Sequence, residues 1–139
     1  MICSCGFIIV CDSRILLCHP TNAGFRWDIP KGIAEENEDH LDAAKRELLE
    51  ETGVSFNGDI IDLGCHQYQK NKNLHLFYMK VDNIPIKEME CKSMVKNKNG
   101  PDFPEMDDYK RCSFDKIESH VGKSLWKWIS VNVPKELLK

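Results

Sequence analysis

The stretch "GIAEENEDHLDAAKRELLEETGV", Gly32 to Val54, decides the fold. Its second half has the 3.6-residue rhythm of an amphipathic helix from about Asp39 to Thr52. Leu41, Ala44, Leu48 and, at the edge, Leu49 form the apolar stripe. Asp39 or Asn37 can cap the start, and Gly53 closes the helix as its C′ residue. On this helix Glu47, Glu50 and Glu51 stand at i, i+3 and i+4, so three carboxylates share one face within one turn. Like charges at that spacing cost a few tenths of a kcal/mol per pair. Two readings account for the crowding: a solvated acidic face, or a nest for a divalent cation.

On the N-terminal side of this stretch, "ICSCGFIIVC" is β-rich, and "DSR" (Asp12–Arg14) turns it into "ILLCH", which predicts a hairpin. "HPTNAG" (His19–Gly24) is a loop. "FRWDIP" reads as a short strand with Phe25, Trp27 and Ile29 on one side, stopped by Pro30, and "KGIAEENE" as a loop. Beyond the helix, "DIIDLGCHQYQ" and "LHLFYMKV" are two strands around the turn "KNKN". The second is apolar on both faces and so expected to be covered on both sides. Residues 82–104 form a long irregular segment with room for a short helix. "DDYKRCSF" is a further strand and "SFDKIESHV" a helix starting at Ser113. The tail "LWKWISVNVPKELLK" mixes strand and helix signals. There, Trp126 and Trp128 on one side of an extended segment would mark either a partner interface or core. The whole predicts α+β or α/β with a mixed sheet.

At 139 residues the chain suits one domain, with a sizeable core. Hydrophobic residues make up 42% and charged residues 29%, and the net charge of −3 gives no sign of general nucleic-acid affinity. Charge is nevertheless uneven: Glu35–Glu51 is acidic and Lys87–Lys98 lysine-rich. Seven cysteines, an odd number with no CxxC pair, argue against a disulfide framework or a zinc ribbon. They read as reduced structural thiols, Cys3 and Cys5 being small apolar fillers in a strand, hence a reducing cytoplasm. "GFIIVC" is too short for a signal sequence or membrane span.

Written as a pattern, Gly32–Val54 is G, five residues, E, seven residues, R-E-apolar, one residue, E-E, one residue, G-apolar, met by Gly32, Glu38, Arg46, Glu47, Leu48, Glu50, Glu51, Gly53 and Val54. Seven identities, each at the usage of a common residue, coincide by chance on the order of once in 10⁸ starts. This pattern resembles the signature of the Nudix hydrolase superfamily and covers 23 of the 139 residues. The cation nest is therefore the preferred reading, since Mg²⁺ takes hard oxygen ligands of this kind. The resemblance implies a mixed sheet sandwiched between helices, with Mg²⁺ (Mn²⁺ as a substitute) as cofactor. It also implies attack of water on a phosphorus of a nucleoside diphosphate linked to a moiety X. Glu50 and Glu51 would be metal ligands, and Glu47 a ligand or the base. Glu38 would support the loop–helix geometry or an outer ion, and Arg46 would fix a neighbouring glutamate. A main-chain carbonyl near Gly32 would reach the metal.

The lead-in "WDIPKG" (Trp27–Gly32) resembles that of dinucleoside polyphosphate hydrolases of the superfamily. Lys31 would reach a phosphate, and Trp27 would stack on a base or pack in the core. In "FPEMDDYKRCSF", Glu105 is the candidate for a further ligand or base, with Glu88, Glu90 and Glu118 as competitors. Tyr109 and Phe103 are candidates for base stacking, against a packing role for each. His19 and His40 fall near the expected site, and both read as surface residues. The expected substrate is a dinucleoside polyphosphate or ADP-ribose, for a monomer or homodimer without membrane attachment. The alternatives are an RNA 5′-end pyrophosphohydrolase, aided by the lysines of 87–98, and a non-catalytic nucleotide-binding sensor.

Overall fold

A computed structural model describes residues 2–139. The strand β1 (Ile2–Cys11) turns into β2 (Arg14–Pro20) through Asp12 and Ser13, both at positive φ (50° and 60°), the geometry of a tight two-residue hairpin. β1 is buried from Ser4 to Cys11 because it lies inside the sheet. On one edge it pairs in parallel with β5 (Lys72–Lys80), which pairs antiparallel with β4 (Ile60–Gln69). On its other edge β1 meets two strands in succession. β2 joins it only at Val10 and Cys11, while β3 (Lys31–Ile33) pairs with Ser4, Cys5 and Gly6. β2 then continues outward to β8 (Met106–Ser113). The sheet is mixed, as expected, with order β4-β5-β1-β2-β8.

Helices cover both faces. The helix α1 (His40–Thr52) seals one face with Ala43, Ala44 and Leu48 against Phe7, Ile9, Phe77 and Met79. Asp39 caps it by accepting from the Asp42 amide, and Gly53 ends it at φ 70°. The short α2 (Ile117–His120) and α3 (Lys123–Asn132) cover the other face, with Leu125, Trp128 and Ile129 on Ile8, Leu74, Leu76 and Tyr78. β5 therefore sends alternate side chains into two cores. Among the described residues no helix is long and apolar enough to cross a membrane, and all seven cysteines are free.

Several local expectations are corrected. "FRWDIP" is not a one-faced strand. Asp28 bridges Cys18 while Trp27 bridges Val121, and Phe25 is 98% exposed. The strand lies after Pro30, in "KGI", because β1 offers a free edge there. Ser113 makes no side-chain cap; a 3-10 turn (Phe114–Lys116) leads into α2. The tail is helical, and Trp126 and Trp128 stand about 200° apart around α3. Trp128, 2% exposed, donates its indole N–H to the His66 carbonyl at 3.3 Å, so it is core. Residues 82–104 hold one 3-10 turn (Ile86–Glu88) and a small ribbon of β6 (Met94–Val95) with β7 (Phe103–Pro104).

Candidate active site

The carboxylates of α1 meet the sheet where β3 pairs with β1. Gly32 lies opposite Cys5, and the Glu47 carboxylate rests directly on it. A Cβ at position 32 would overlap that carboxylate. One turn on, Glu51 is fully buried. Its Oε2 accepts from the Lys31 amide at 3.2 Å, while its Oε1 meets no donor and has the Glu47 carboxylate beside it. Burial, then the charges of Glu105 and Glu47, push its carboxyl up to about 11. Glu47 is raised as well, chiefly by burial. An unpaired buried carboxylate oxygen among acidic neighbours is costly unless a cation serves it.

Arg46 organises the rim. Its guanidinium holds Glu38 through two bonds (Nε to Oε2, 3.0 Å; Nη2 to Oε1, 2.9 Å), and this pairing draws the Glu38 carboxyl down to about 2. Its Nη1 reaches Glu47 at 2.9 Å and Glu50 at 3.5 Å, and Nη2 also donates to the Ile33 carbonyl. One side chain thus ties the loop, β3 and two of the three helix glutamates together, a fork geometry that lysine does not offer.

Glu105, between β7 and β8, accepts from the Ser93 hydroxyl at 2.8 Å and is close enough to Glu51 to raise it. It joins the cluster. Glu90 instead points outward, 79% exposed, toward Lys92. Tyr109 donates its hydroxyl to the Glu51 carbonyl at 2.6 Å, which fixes the end of α1 and leaves its ring as packing. Phe103 sits in the β6–β7 ribbon opposite Val95. His19, in β2, bonds Asp107 of β8 at 2.5 Å and the Gly24 carbonyl at 2.7 Å, so it ties the 21–26 loop to the sheet edge.

Lys31 carries the site outward. Its amide serves Glu51 while its ammonium pairs with Asp28 at 3.0 Å and lies 5.8 Å from the centre of the Tyr68 ring. Burial works against its charge, yet Asp28 and Glu51 hold its pKa above the ordinary value. The side chain lines a cleft of about 480 Å³ with Arg26, Trp27, Asp28, Tyr68, Lys72 and Lys123. Trp27 is half-buried there, edge-on to His19 and under the Lys110 ammonium at 5.0 Å. Sequence reasoning misses Arg26, Tyr68, Lys72 and Lys123. They come from four separate segments, and no spacing in the sequence joins them.

The donor set fits a divalent cation: several hard carboxylate oxygens, one of them buried and unserved, and a glycine that leaves room only for the Glu47 carboxylate. Glu47, Glu50, Glu51 and Glu105 are the groups that could hold it.

The family model described as NUDIX domain matches residues 5–130. The chain is 42% identical over 107 residues to a 17.7 kDa protein of the e–segB intergenic region of Enterobacteria phage T4, spanning 73% of this chain and 71% of that protein. A shorter likeness, 49% over 43 residues, joins it to an RNA pyrophosphohydrolase of Bartonella henselae and takes in 30% of this chain and 25% of that one. Among solved structures, an Ap4A hydrolase of C. elegans aligns with TM-score 0.65 and 18% identity over 92% of this chain and 96% of that one. The NUDIX domain of Shewanella oneidensis NrtR, solved with ADP ribose, aligns with TM-score 0.69 and 14% identity over 100% and 89%. At such identities the structural likeness establishes the fold.

Proposed function

The chain belongs to the NUDIX family of hydrolases, and on that premise we propose that it is a Mg²⁺-dependent pyrophosphohydrolase splitting a nucleoside diphosphate linked to X into a nucleotide and phospho-X. The observation that carries this reading is Glu51, fully buried with an orphaned oxygen between Glu47 and Glu105. A divalent cation held by Glu47, Glu50 and Glu51 would neutralise phosphate charge and lower the pKa of the attacking water. Arg46 keeps Glu47 and Glu50 in place for that ion. Glu105, partly exposed and aligned by Ser93, is the group best placed to take the proton of the attacking water.

The preferred substrate is a dinucleoside polyphosphate, with ADP-ribose next. Arg26, Lys31, Lys72 and Lys123 against Asp28 give the cleft a cationic surplus, and Tyr68 and Trp27 supply aromatic surface for a base. Its volume lies in the range of small-ligand sites. The local likeness to an RNA pyrophosphohydrolase favours a second reading, removal of pyrophosphate from RNA 5′ ends.

The test is chromatography of products from diadenosine tetraphosphate, ADP-ribose, NADH, nucleoside triphosphates and a 5′-triphosphate RNA with Mg²⁺, beside Glu51→Gln. Cleavage of the dinucleoside polyphosphate, reduced about 10³-fold or more in the variant, is expected. Cleavage of the RNA alone selects the second reading. Tight nucleotide binding without turnover of any substrate refutes the enzyme.

A further inference from the structure

A second ligand cluster lies at the opposite end of α1. In the sheet, Cys5 of β1 is in register with His75 of β5, and His75 with Cys65 of β4, so three chemistry-bearing residues form a row across adjacent strands. Cys3, two residues before Cys5, extends the row, and His40, the first residue of α1, comes down on it from the helix. The Cys3 and Cys65 sulfurs are 3.7 Å apart, Cys3 Sγ lies 3.9 Å from His40 Nδ1, and His40 Nδ1 lies 2.8 Å from His75 Nδ1. Donor atoms of His40, Cys65 and His75 fall within 4.8 Å of one another, as do those of Cys3, Cys5 and His40.

These three separations lie within about 0.6 Å of the edges of a zinc tetrahedron, and the two groups share His40, so Cys3 and His75 come onto one ion by turning their side chains about it. Zn–S near 2.3 Å and Zn–N near 2.0–2.1 Å give edges of about 3.8 Å between sulfurs, ~3.6 Å between sulfur and nitrogen and ~3.4 Å between nitrogens. The sulfur pair matches to about 0.1 Å, the sulfur–nitrogen pair is wider by about 0.3 Å, and the nitrogen pair is tighter by about 0.6 Å because a hydrogen bond now joins it. The imidazole of His75 is already oriented as a ligand. Its Nε2–H donates to Asp62 Oδ1 at 2.6 Å, which leaves the Nδ1 lone pair facing the cluster, and its ring stacks on Phe77 with centroids 4.5 Å apart. A carboxylate behind a histidine in this way is the usual outer shell of a zinc ligand. Cys65 is exposed, so an ion has a way in.

We propose that Cys3, His40, Cys65 and His75 form a tetrahedral site for a zinc-class divalent ion, distinct from the glutamate cluster, that fastens the start of α1 to β1, β4 and β5. On binding, the two thiols each release a proton. The His40 Nδ1 proton, now shared with His75, gives way to the metal as His40 takes its other tautomer. Cys5 remains the small buried filler behind Cys3. The site does not depend on the hydrolase reading, since its ligands are soft and its position is at the other end of the helix.

The test is a Co²⁺ titration of the full chain under a non-thiol reductant. A thiolate-to-cobalt charge-transfer band with visible bands of tetrahedral cobalt should saturate at one equivalent and vanish on adding Zn²⁺. Cys65→Ser and His75→Gln should each abolish the saturating band. Asp62→Asn should weaken affinity by about 10–100-fold while keeping the spectrum. Glu51→Gln should leave band and affinity unchanged even as turnover is lost, which separates this inference from the enzyme. Absence of a thiolate band in the wild-type chain overturns the site, whatever the variants do. So does a band that survives both ligand variants, or a Cys3–Cys65 disulfide that persists under the reductant in place of metal.

Discussion

Replacing Glu51 with Gln removes the charge and keeps the shape, and the consequences differ with and without metal. In the metal-free chain the Glu51 carboxyl is pushed up to about 11 from an ordinary 4.5, so at pH 7 it stays protonated when folded and ionises when unfolded. Each pH unit between 4.5 and 7 is worth about 1.4 kcal/mol, so neutrality at pH 7 costs the fold about 3 kcal/mol. This penalty is absent below the unfolded value, grows as pH rises from 4.5, and stops growing only near 11. The substituted glutamine escapes it, and its amide can keep the contact with the Lys31 N–H through its oxygen while donating toward Glu47. Metal-free Glu51→Gln is therefore expected to be more stable than wild type at pH 7, by roughly 6–12 °C in Tm for a chain of this size, and nearly equal to it near the ordinary carboxyl value of 4.5. Adding Mg²⁺ should raise the Tm of wild type and leave the variant almost unmoved. Differential scanning fluorimetry across pH, with and without Mg²⁺, reads both effects. A variant less stable than wild type without metal at pH 7, or one that keeps the full Mg²⁺ shift, would refute the assignment of Glu51 as an unserved ligand.

Gly32→Ala places a methyl group on the Glu47 carboxylate. It should lower kcat by about 10²-fold or more, with far-ultraviolet circular dichroism unchanged; near-wild-type turnover would show that Glu47 need not sit there. Arg46→Lys breaks the two-bond hold on Glu38 and should lower the urea midpoint of unfolding, with a weaker response to Mg²⁺. Tyr109→Phe deletes the bond to the Glu51 carbonyl and should cost about 1 kcal/mol in stability with KM unchanged. A raised KM with intact stability would instead restore a stacking role for that ring. Lys31→Ala should raise KM by about 10-fold or more for polyphosphates, an effect that steady-state kinetics at fixed Mg²⁺ would measure.

The parts legible in the sequence are those specified locally. α1 announces itself through Asp39, the Ala44–Leu48 stripe and Gly53, all of which act within a turn of where they stand. The β1–β2 hairpin is legible as a break in an apolar run, although its two turn residues, Asp12 and Ser13, are not the Asn-Gly pair that such geometry favours. β3 is hidden because three residues carry no periodicity; they become a strand only when Ser4–Gly6 supplies the edge. The helix α3 is obscured by its own composition. "LWKWISV" has β propensity, and what decides it is that Leu125, Trp128 and Ile129, at i, i+3 and i+4, fit the groove over Leu74 and Leu76.

The site follows the same division, and the reason lies in where its residues come from. Gly32 of β3, Glu38 of the loop after it, and Arg46, Glu47, Glu50 and Glu51 of α1 fall within one continuous stretch, so their spacing is fixed by chain geometry and can be read as a pattern. The pattern does not say which carboxylate is left without a partner; burial against the sheet singles out Glu51. Glu105 and the cleft residues Tyr68, Lys72 and Lys123 reach the same place from β4, β5, α3 and the strand junction before β8, distances in sequence that only the sheet order closes. Lys31 joins the two halves, its amide on Glu51 and its ammonium in the cleft. Binding a polyphosphate through that ammonium would therefore be felt directly at the carboxylate that the cation must satisfy.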